Sequence, residues 1–214
     1  MLSNDETKTE VFMKLICFSP KLWEANSYLL VHNGEAFLID AGTPADKIEQ
    51  ALIAENATLM GILLTHGHFD HILSIDLLRE KYNIPVYVHQ NDAELLTNGS
   101  LNAYAMFFGT EKTWKPADRL LQDGDTLNLG DKTISVLSTK GHTKGSVCYL
   151  VDDLLFSGDT LFANGYGRTD LYGGDFCELT VSINKLFSLS GKQTVYAGHG
   201  ESNTLDNIKN GFTF

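Results

Sequence analysis

Thr65-His66-Gly67-His68-Phe69-Asp70-His71 follows directly on the apolar run Gly61-Ile62-Leu63-Leu64, and this junction constrains the fold more than any other stretch. A short apolar run with Ile and Leu reads as a buried strand, so the polar residues after it stand on a rigid base that opens toward solvent. Imidazole and carboxylate are ligand groups for zinc, iron or manganese. Four such groups within six residues exceed what one ion accepts in sensible geometry, which argues for two ions. His66 and His68 can face one ion from an extended or tightly looped backbone. Asp70 and His71 open the helical pattern Ile72 to Leu78 and can face a second. Ordinary core or surface histidines are the alternative, but that suits a lone His better than three in this order with an Asp.

Three further candidates, His142, Asp159 and His199, stand in Gly141-His142-Thr143, Ser157-Gly158-Asp159-Thr160 and Gly198-His199-Gly200. Each follows a strand-like run: Thr133 to Leu137, Asp153 to Phe156 and Gln193 to Tyr196. Each has a neighbouring Gly that lets the backbone turn tightly. Taken alone each is a weak ligand candidate, and Asp159 can also be read as a helix or turn cap. With the first cluster they complete a set of five His and two Asp.

In this order the motifs T-H-G-H-F-D-H, G-H-T-x-G-S (Gly141 to Ser146), S-G-D-T-L-F (Ser157 to Phe162) and G-H-G resemble those of the metallo-β-lactamase superfamily, over about residues 13–210. Within it the chain is most similar to the glyoxalase II-like group, the hydroxyacylglutathione hydrolases, in a short form. The resemblance implies an α/β fold, an αββα sandwich of two mixed sheets flanked by helices, with metals at one edge between the sheets. It implies His66, His68 and His142 at one metal, Asp70, His71 and His199 at the other, and Asp159 bridging, in agreement with the spacing. The cofactors expected are two divalent ions per chain, zinc first, with iron or manganese as alternatives. Asp70 is also expected to orient the attacking hydroxide. Asp40, in the Asp40-Ala41-Gly42 turn that recurs in the superfamily near the metals, is expected to support a ligand or to serve the turn alone.

The activity implied is hydrolysis of a small-molecule thioester by a metal-bridging hydroxide. Two adjacent cations lower the pKa of a shared water and stabilise the oxyanion, so Ser146 and Ser157 are not needed as nucleophiles. After Ser157 to Phe162 the chain runs Ala163 to Asp170. In full-length glyoxalase II a Lys in this loop contacts the glutathione carboxylate, and a Tyr two residues later contacts its backbone. Here Arg168 stands at the Lys position and keeps the charge, while Asp170 replaces the Tyr. Arg168 is therefore the candidate substrate-binding residue, with an ion pair to Asp170 or Asp175 as the alternative. A mononuclear iron persulfide dioxygenase of the same superfamily, using positions resembling His66, His142 and Asp159, is the alternative function; a non-catalytic metal-binding module is disfavoured because every ligand position is filled. Lactam hydrolysis is not expected, since the common zinc β-lactamases have Cys where Asp159 stands, lack a His at position 71, and are exported.

Composition agrees. The chain has 214 residues, 43% of them hydrophobic, enough for one sizeable core. A net charge of −11 with Lys residues scattered singly argues against a nucleic-acid backbone as partner, which needs clustered cations. Cys17, Cys148 and Cys177 form no C-x-x-C, and an odd, widely spaced set fits reduced thiols in the cytoplasm. Cys17 and Cys148, in apolar runs, read as small core residues. Residues 1–12 read as a flexible extension without a signal peptide, and 13–214 as a single domain. No apolar run is long enough for a membrane span, and oligomeric state is left open. Helices are expected over 44–55, with Thr43 as N-cap and Pro44 at the first position, and over 71–82, 90–98, 178–189 and 203–210. The stretch from Asp123 to Val151 reads mostly as strands with turns.

Overall fold

Alternation along the strands decides the layering. In a strand, successive side chains point to opposite faces. In β2 (Ser27–His32) and β3 (Glu35–Ile39), Leu29, Val31, Ala36 and Leu38 join one core cluster, while Tyr28, Leu30, Phe37 and Ile39 join another. Both faces are apolar, so both must be covered.

The computed structural model describes residues 13–20 and 22–214; the extension expected over residues 1–12 lies outside them. The first sheet has the order β1-β2-β3-β4-β5-β6, with β1 (Lys14–Phe18), β4 (Thr58–Leu63), β5 (Val86–His89) and β6 (Arg119–Leu121) added to the pair above. Pairing is antiparallel from β1 to β3 and parallel from β3 to β6. The second sheet has the order β12-β11-β10-β9-β8-β7. It comprises β7 (Thr126–Leu129), β8 (Lys132–Ser138), β9 (Val147–Val151), β10 (Leu154–Gly158), β11 (Thr194–Ala197) and β12 (Asn203–Thr204). Its one parallel pair is β10–β11. The expected sandwich of two mixed sheets is thus the observed one.

Helices α1 (Ala45–Ala54) and α2 (Ile75–Tyr82) bury Ile48, Leu52, Ile75 and Leu78 against the first sheet. Short helices α3 (Ala93–Thr97) and α4 (Tyr104–Phe108) follow β5. On the far side, α5 (Phe176–Phe187) and α6 (Leu205–Gly211) press Leu179, Ile183, Leu186, Leu205 and Ile208 onto Cys148 and Leu155 of the second sheet. Between the sheets Tyr28, Leu30, Phe37 and Ile39 meet Ile134, Val136, Tyr149 and Phe156.

Several boundaries differ from expectation for identifiable reasons. Pro44 is itself the N-cap of α1, with φ −52° and ψ 135°, and Thr43 offers no side-chain cap. The helix expected from 71 starts at Ile75, because Phe69–His71 forms a 3₁₀ turn and the Ser74 hydroxyl donates to the Thr43 carbonyl (2.7 Å) instead of capping. The helix expected over 90–98 likewise splits into a 3₁₀ turn, Gln90–Asp92, and α3. α5 begins before residue 178, since Asp175 accepts from the Glu178 amide (3.0 Å) as its cap. The helix expected over 203–210 is Leu205–Gly211, capped by Thr204. α4 was not expected. Cys148 is buried as anticipated, but Cys17 is exposed, because it lies on the edge strand β1.

Candidate metal centre

Each candidate residue follows the end of a strand. His66, His68, Asp70 and His71 come after β4, His142 after β8, Asp159 after β10 and His199 after β11. Two bonds fasten the sheets where these ends meet. The Val147 amide donates to the Thr65 carbonyl (2.9 Å), and the Tyr149 hydroxyl donates to the Leu64 carbonyl (2.7 Å).

All seven side chains converge at this edge. His142 Nε2 lies 2.9 Å from His68 Nδ1 and 3.2 Å from His66 Nε2. Beside them, His199 Nε2 is 3.1 Å and His71 Nε2 3.9 Å from Asp70 Oδ2. Asp159 stands between: its Oδ1 is 3.3 Å from His71 Nε2, and its Oδ2 is 3.6 Å from His142 Nε2 and 3.7 Å from His199 Nε2. His66, His68 and His142 form one group suited to an ion, and Asp70, His71 and His199 another.

The donor set fits metal ions. Ligands ~2.0–2.1 Å from one tetrahedral ion lie about 3.3 Å from each other, close to the spacings found. His71 Nε2, His68 Nε2 and Asp159 Oδ1 are buried without a hydrogen-bond partner among the described residues. Such orphaned groups are costly in a folded interior, and an ion answers the cost for His71 Nε2 and Asp159 Oδ1, which face each other.

The outer ring nitrogens of His71, His142 and His66 meet protein oxygens, an arrangement that orients metal-binding imidazoles. His71 Nδ1 donates to Asp40 Oδ2 (2.7 Å), and His142 Nδ1 donates to the Arg168 carbonyl (2.7 Å). His66 Nδ1 contacts Thr65 Oγ1 at 3.1 Å. Asp40 also accepts from the Thr65 amide (2.8 Å) and hydroxyl (2.7 Å). Its φ of +55° is the left-handed conformation that Asp tolerates better than most residues.

Charge divides the two groups. Burial, then the neighbouring His71 and His142, pushes His66 well below its usual range. Burial and His142 lower His68 to about 3. Both are neutral imidazoles at physiological pH. Burial also opposes charge on His71 and His199, but Asp40, Asp159 and Asp70 outweigh it at His71, and the Asp70 hydrogen bond with Asp159 outweighs it at His199, so both are raised. Burial raises Asp70 and Asp159 less than the histidines lower them.

Asp92 and Gly198 complete the frame. Asp92 is buried, accepting from Gly67 N (3.1 Å), Gly145 N (2.7 Å) and Thr143 Oγ1 (2.7 Å). It thereby ties the His66–His68 turn to the segment after His142. No local signal could have found it, since its partners lie 25 to 53 positions away. At Gly198 a Cβ would fall 2.1 Å from Asp159 Oδ1 and 2.6 Å from His71 Cε1, so the G-H-G motif needs its first glycine for closeness to the site.

A cavity of about 310 Å³ opens onto this centre. Trp23, Phe69, Phe107, Phe162 and Leu171 form much of its wall. Arg168 lines it too, but its guanidinium makes two bonds to Asp170, Nε to Oδ1 at 2.6 Å and Nη2 to Oδ2 at 2.7 Å. The ion pair weighed as an alternative is therefore present, formed with Asp170.

Comparison with known proteins agrees with the motifs and the fold. The sequence profile of the Metallo-beta-lactamase superfamily matches residues 21–199. The probable metallo-hydrolase YqgX of Bacillus subtilis (strain 168) is 45% identical over 83% of this chain and 85% of its own. Among solved structures, the BLEG-1 B3 metallo-beta-lactamase is 38% identical, covering 92% of this chain and 97% of that one with a TM-score of 0.87. TTHA1623 in a di-iron-bound form is 30% identical, with coverage of 91% and 96% and a TM-score of 0.80. Among the described residues no helix is long and apolar enough to cross a membrane. This chain belongs to the metallo-β-lactamase superfamily.

Proposed function

We propose that this chain is a dinuclear metal-dependent hydrolase whose substrates are thioesters. The observation that carries the reading is the position of Asp159, with carboxylate oxygens within 3.3 to 3.7 Å of ring nitrogens from both histidine groups. A carboxylate so placed suits two cations sharing one ligand. Two bound cations would supply a water of lowered pKa and would polarise a carbonyl oxygen.

The residues divide the remaining work. His66, His68 and His142 would hold one ion, the first two as neutral imidazoles. Asp70, His71 and His199 hold the other. Asp70, on the cavity wall, also orients the attacking water. Zinc is the first candidate, with iron and manganese equally compatible with imidazole and carboxylate; the di-iron form of TTHA1623 supports keeping iron in view. Among the described residues of the wall there is no Lys, Tyr, Cys or Ser. With the wall's His and Asp side chains taken up by the ions, such a site favours a leaving group that departs unprotonated, and a thiolate does so more readily than an alkoxide or an amine.

The decisive experiment pairs metal analysis of the fully loaded protein with hydrolysis of a thioester panel that includes S-lactoylglutathione. Two metals per chain, with both metal and hydrolysis lost in Asp159→Ala, are expected. One metal per chain, unchanged by His71→Ala or His199→Ala, together with oxygen uptake on glutathione persulfide, would replace this reading by the mononuclear dioxygenase. The likeness to BLEG-1 favours lactam hydrolysis as a second reading, against the expectation drawn from the motifs. Turnover of a chromogenic cephalosporin faster than of any thioester would establish it.

A further inference from the structure

The helix α4 sits beside the metal centre and touches the first core cluster through its half-buried Tyr104. Its sequence is Tyr-Ala-Met-Phe-Phe, and none of its side chains is buried. Met106, Phe107 and Phe108 are 64%, 55% and 43% exposed, and the nearby Trp23 is 44% exposed. Scattered apolar residues on a surface are ordinary, but a contiguous patch marks a binding site. This patch is contiguous. Trp23 packs on Phe69 and Phe108 with ring centroids 5.5 and 5.4 Å apart, and Phe107 packs on Phe69 at 5.3 Å.

The patch is continuous with the reaction cavity. Trp23, Phe69 and Phe107 line the space into which His68, Asp70, Asp159 and His199 also open. Arg168 is the only Lys or Arg among the described residues of that wall, and Asp170 takes two of its donors. An anionic group on the substrate would meet a neutralised cation there, while an apolar group would meet aromatic rings on several sides. At about 310 Å³ the cavity is at the small end for ligand sites. A chain longer than a few carbons would therefore run out over Phe107 and Phe108.

We infer that the aromatic wall formed by Trp23, Phe69 and Phe107, extended by the exposed ring of Phe108, binds an apolar acyl or aryl group, so that the preferred acyl donors carry medium-length aliphatic or aromatic acyl chains. The inference rests on the hydrolase reading for its chemistry but not for its binding. A buried methylene contributes ~0.8 kcal/mol, which corresponds to at most about a fourfold gain per carbon.

The test uses two ligand series on the metal-loaded protein. In the first, N-acetylcysteamine thioesters from acetyl to decanoyl keep a constant neutral leaving thiol. kcat/KM should rise two- to fourfold per methylene until the wall is covered, and Phe107→Ala and Trp23→Ala should each flatten that slope with circular dichroism unchanged. In the second, S-methyl to S-octyl thioethers of the same thiol are titrated by calorimetry, and Kd should fall with chain length. Turnover of short thioesters with a flat series in both rate and Kd overturns the inference and leaves the hydrolase reading intact. Absence of turnover throughout, with Kd still falling along the thioethers, overturns the hydrolase reading and supports the apolar site. Binding to neutral phosphatidylcholine vesicles that Phe107→Asp abolishes, with both series flat, assigns the rings to a lipid surface and overturns the inference.

Discussion

Asp40 Oδ2 stands 2.7 Å from His71 Nδ1 and 2.7 Å from Thr65 Oγ1, while its Oδ1 takes the Thr65 amide at 2.8 Å. One carboxylate thus orients a candidate ligand and fixes the strand end that carries the others. An Asn at this position has a single oxygen and must abandon either the ring or the amide. Asp40→Asn should weaken metal binding at the Asp70, His71 and His199 group about 10- to 100-fold, as loss of such partners does in other metal sites. Competition with a chelator of known affinity measures this. Equal loss at both metals would show that the effect is on the fold instead.

Asp92 predicts a complementary result at the other group. Its oxygens accept from Gly67, Gly145 and Thr143, and an amide nitrogen would confront at least one of those donors. Asp92→Asn should cost about 1–3 kcal/mol, the usual penalty of an unsatisfied buried donor. For a chain of this size that is a fall of roughly 3–10 °C in Tm. Metal should be lost first from His66, His68 and His142, because the Gly67 and Thr143 contacts flank those ligands. A Tm unchanged within 1 °C of the parent protein, as read by calorimetry at the ~1 kcal/mol level, would contradict the role.

The Arg168–Asp170 pair predicts different outcomes for two substitutions. Freeing the guanidinium in Asp170→Asn should lower KM for an anionic thioester such as S-lactoylglutathione by several-fold, with kcat little changed, since contact remote from the reacting carbonyl is made equally in ground and transition states. Arg168→Ala should change KM for neutral thioesters by less than about twofold, because exposed ion pairs contribute little. Steady-state kinetics on both substrates checks the pair. A large rise in KM for the anionic thioester in Arg168→Ala alone would show that the arginine binds substrate despite its partner.

The thiols give a pH test independent of metal. Burial raises Cys148 to about 11, and its sulfur packs near Thr139 and Ser157. Cys17 and Cys177 are exposed. At pH 8 an aromatic disulfide reagent should modify two thiols, and the third only in denaturant. The folded thiol ionises later than the unfolded one, whose ordinary value is 9.0. Its contribution to stability is therefore complete below pH 9.0 and is lost as pH rises toward about 11. Cys148→Ala should reduce that alkaline loss in denaturant titrations.

Much of the site was legible because the candidate ligands are His and Asp residues that stand just after strand ends, which leaves a pattern in the sequence. His66, His68, Asp70 and His71 are adjacent in the chain, and His142, Asp159 and His199 each stand beside a Gly after an apolar run. Element types were readable from periodicity for the same reason. What escaped were features decided across the fold. Asp92 meets partners far along the chain. The start of α2 at Ile75 rather than residue 71 escaped too, since Phe69–His71 forms a 3₁₀ turn and the Ser74 hydroxyl is taken by the Thr43 carbonyl. The apolar Cys17 run is a sheet edge, which no local pattern distinguishes from a sheet centre. α4 has too few residues for a periodic signal.

Each sheet is drawn from one continuous half of the chain, β1 to β6 from Lys14–Leu121 and β7 to β12 from Thr126–Thr204. The candidate ligands divide the same way, four before the turn at Asp123-Gly124 and three after it. Neither half alone can assemble either ligand group, since His142 completes the first and His199 the second. A chain cut at that turn would yield two fragments that recognise each other through the apolar seam and become joined by the ions they share. The metal centre would then be a clasp on a two-piece protein, and chelation would loosen the pieces while the apolar seam still held them.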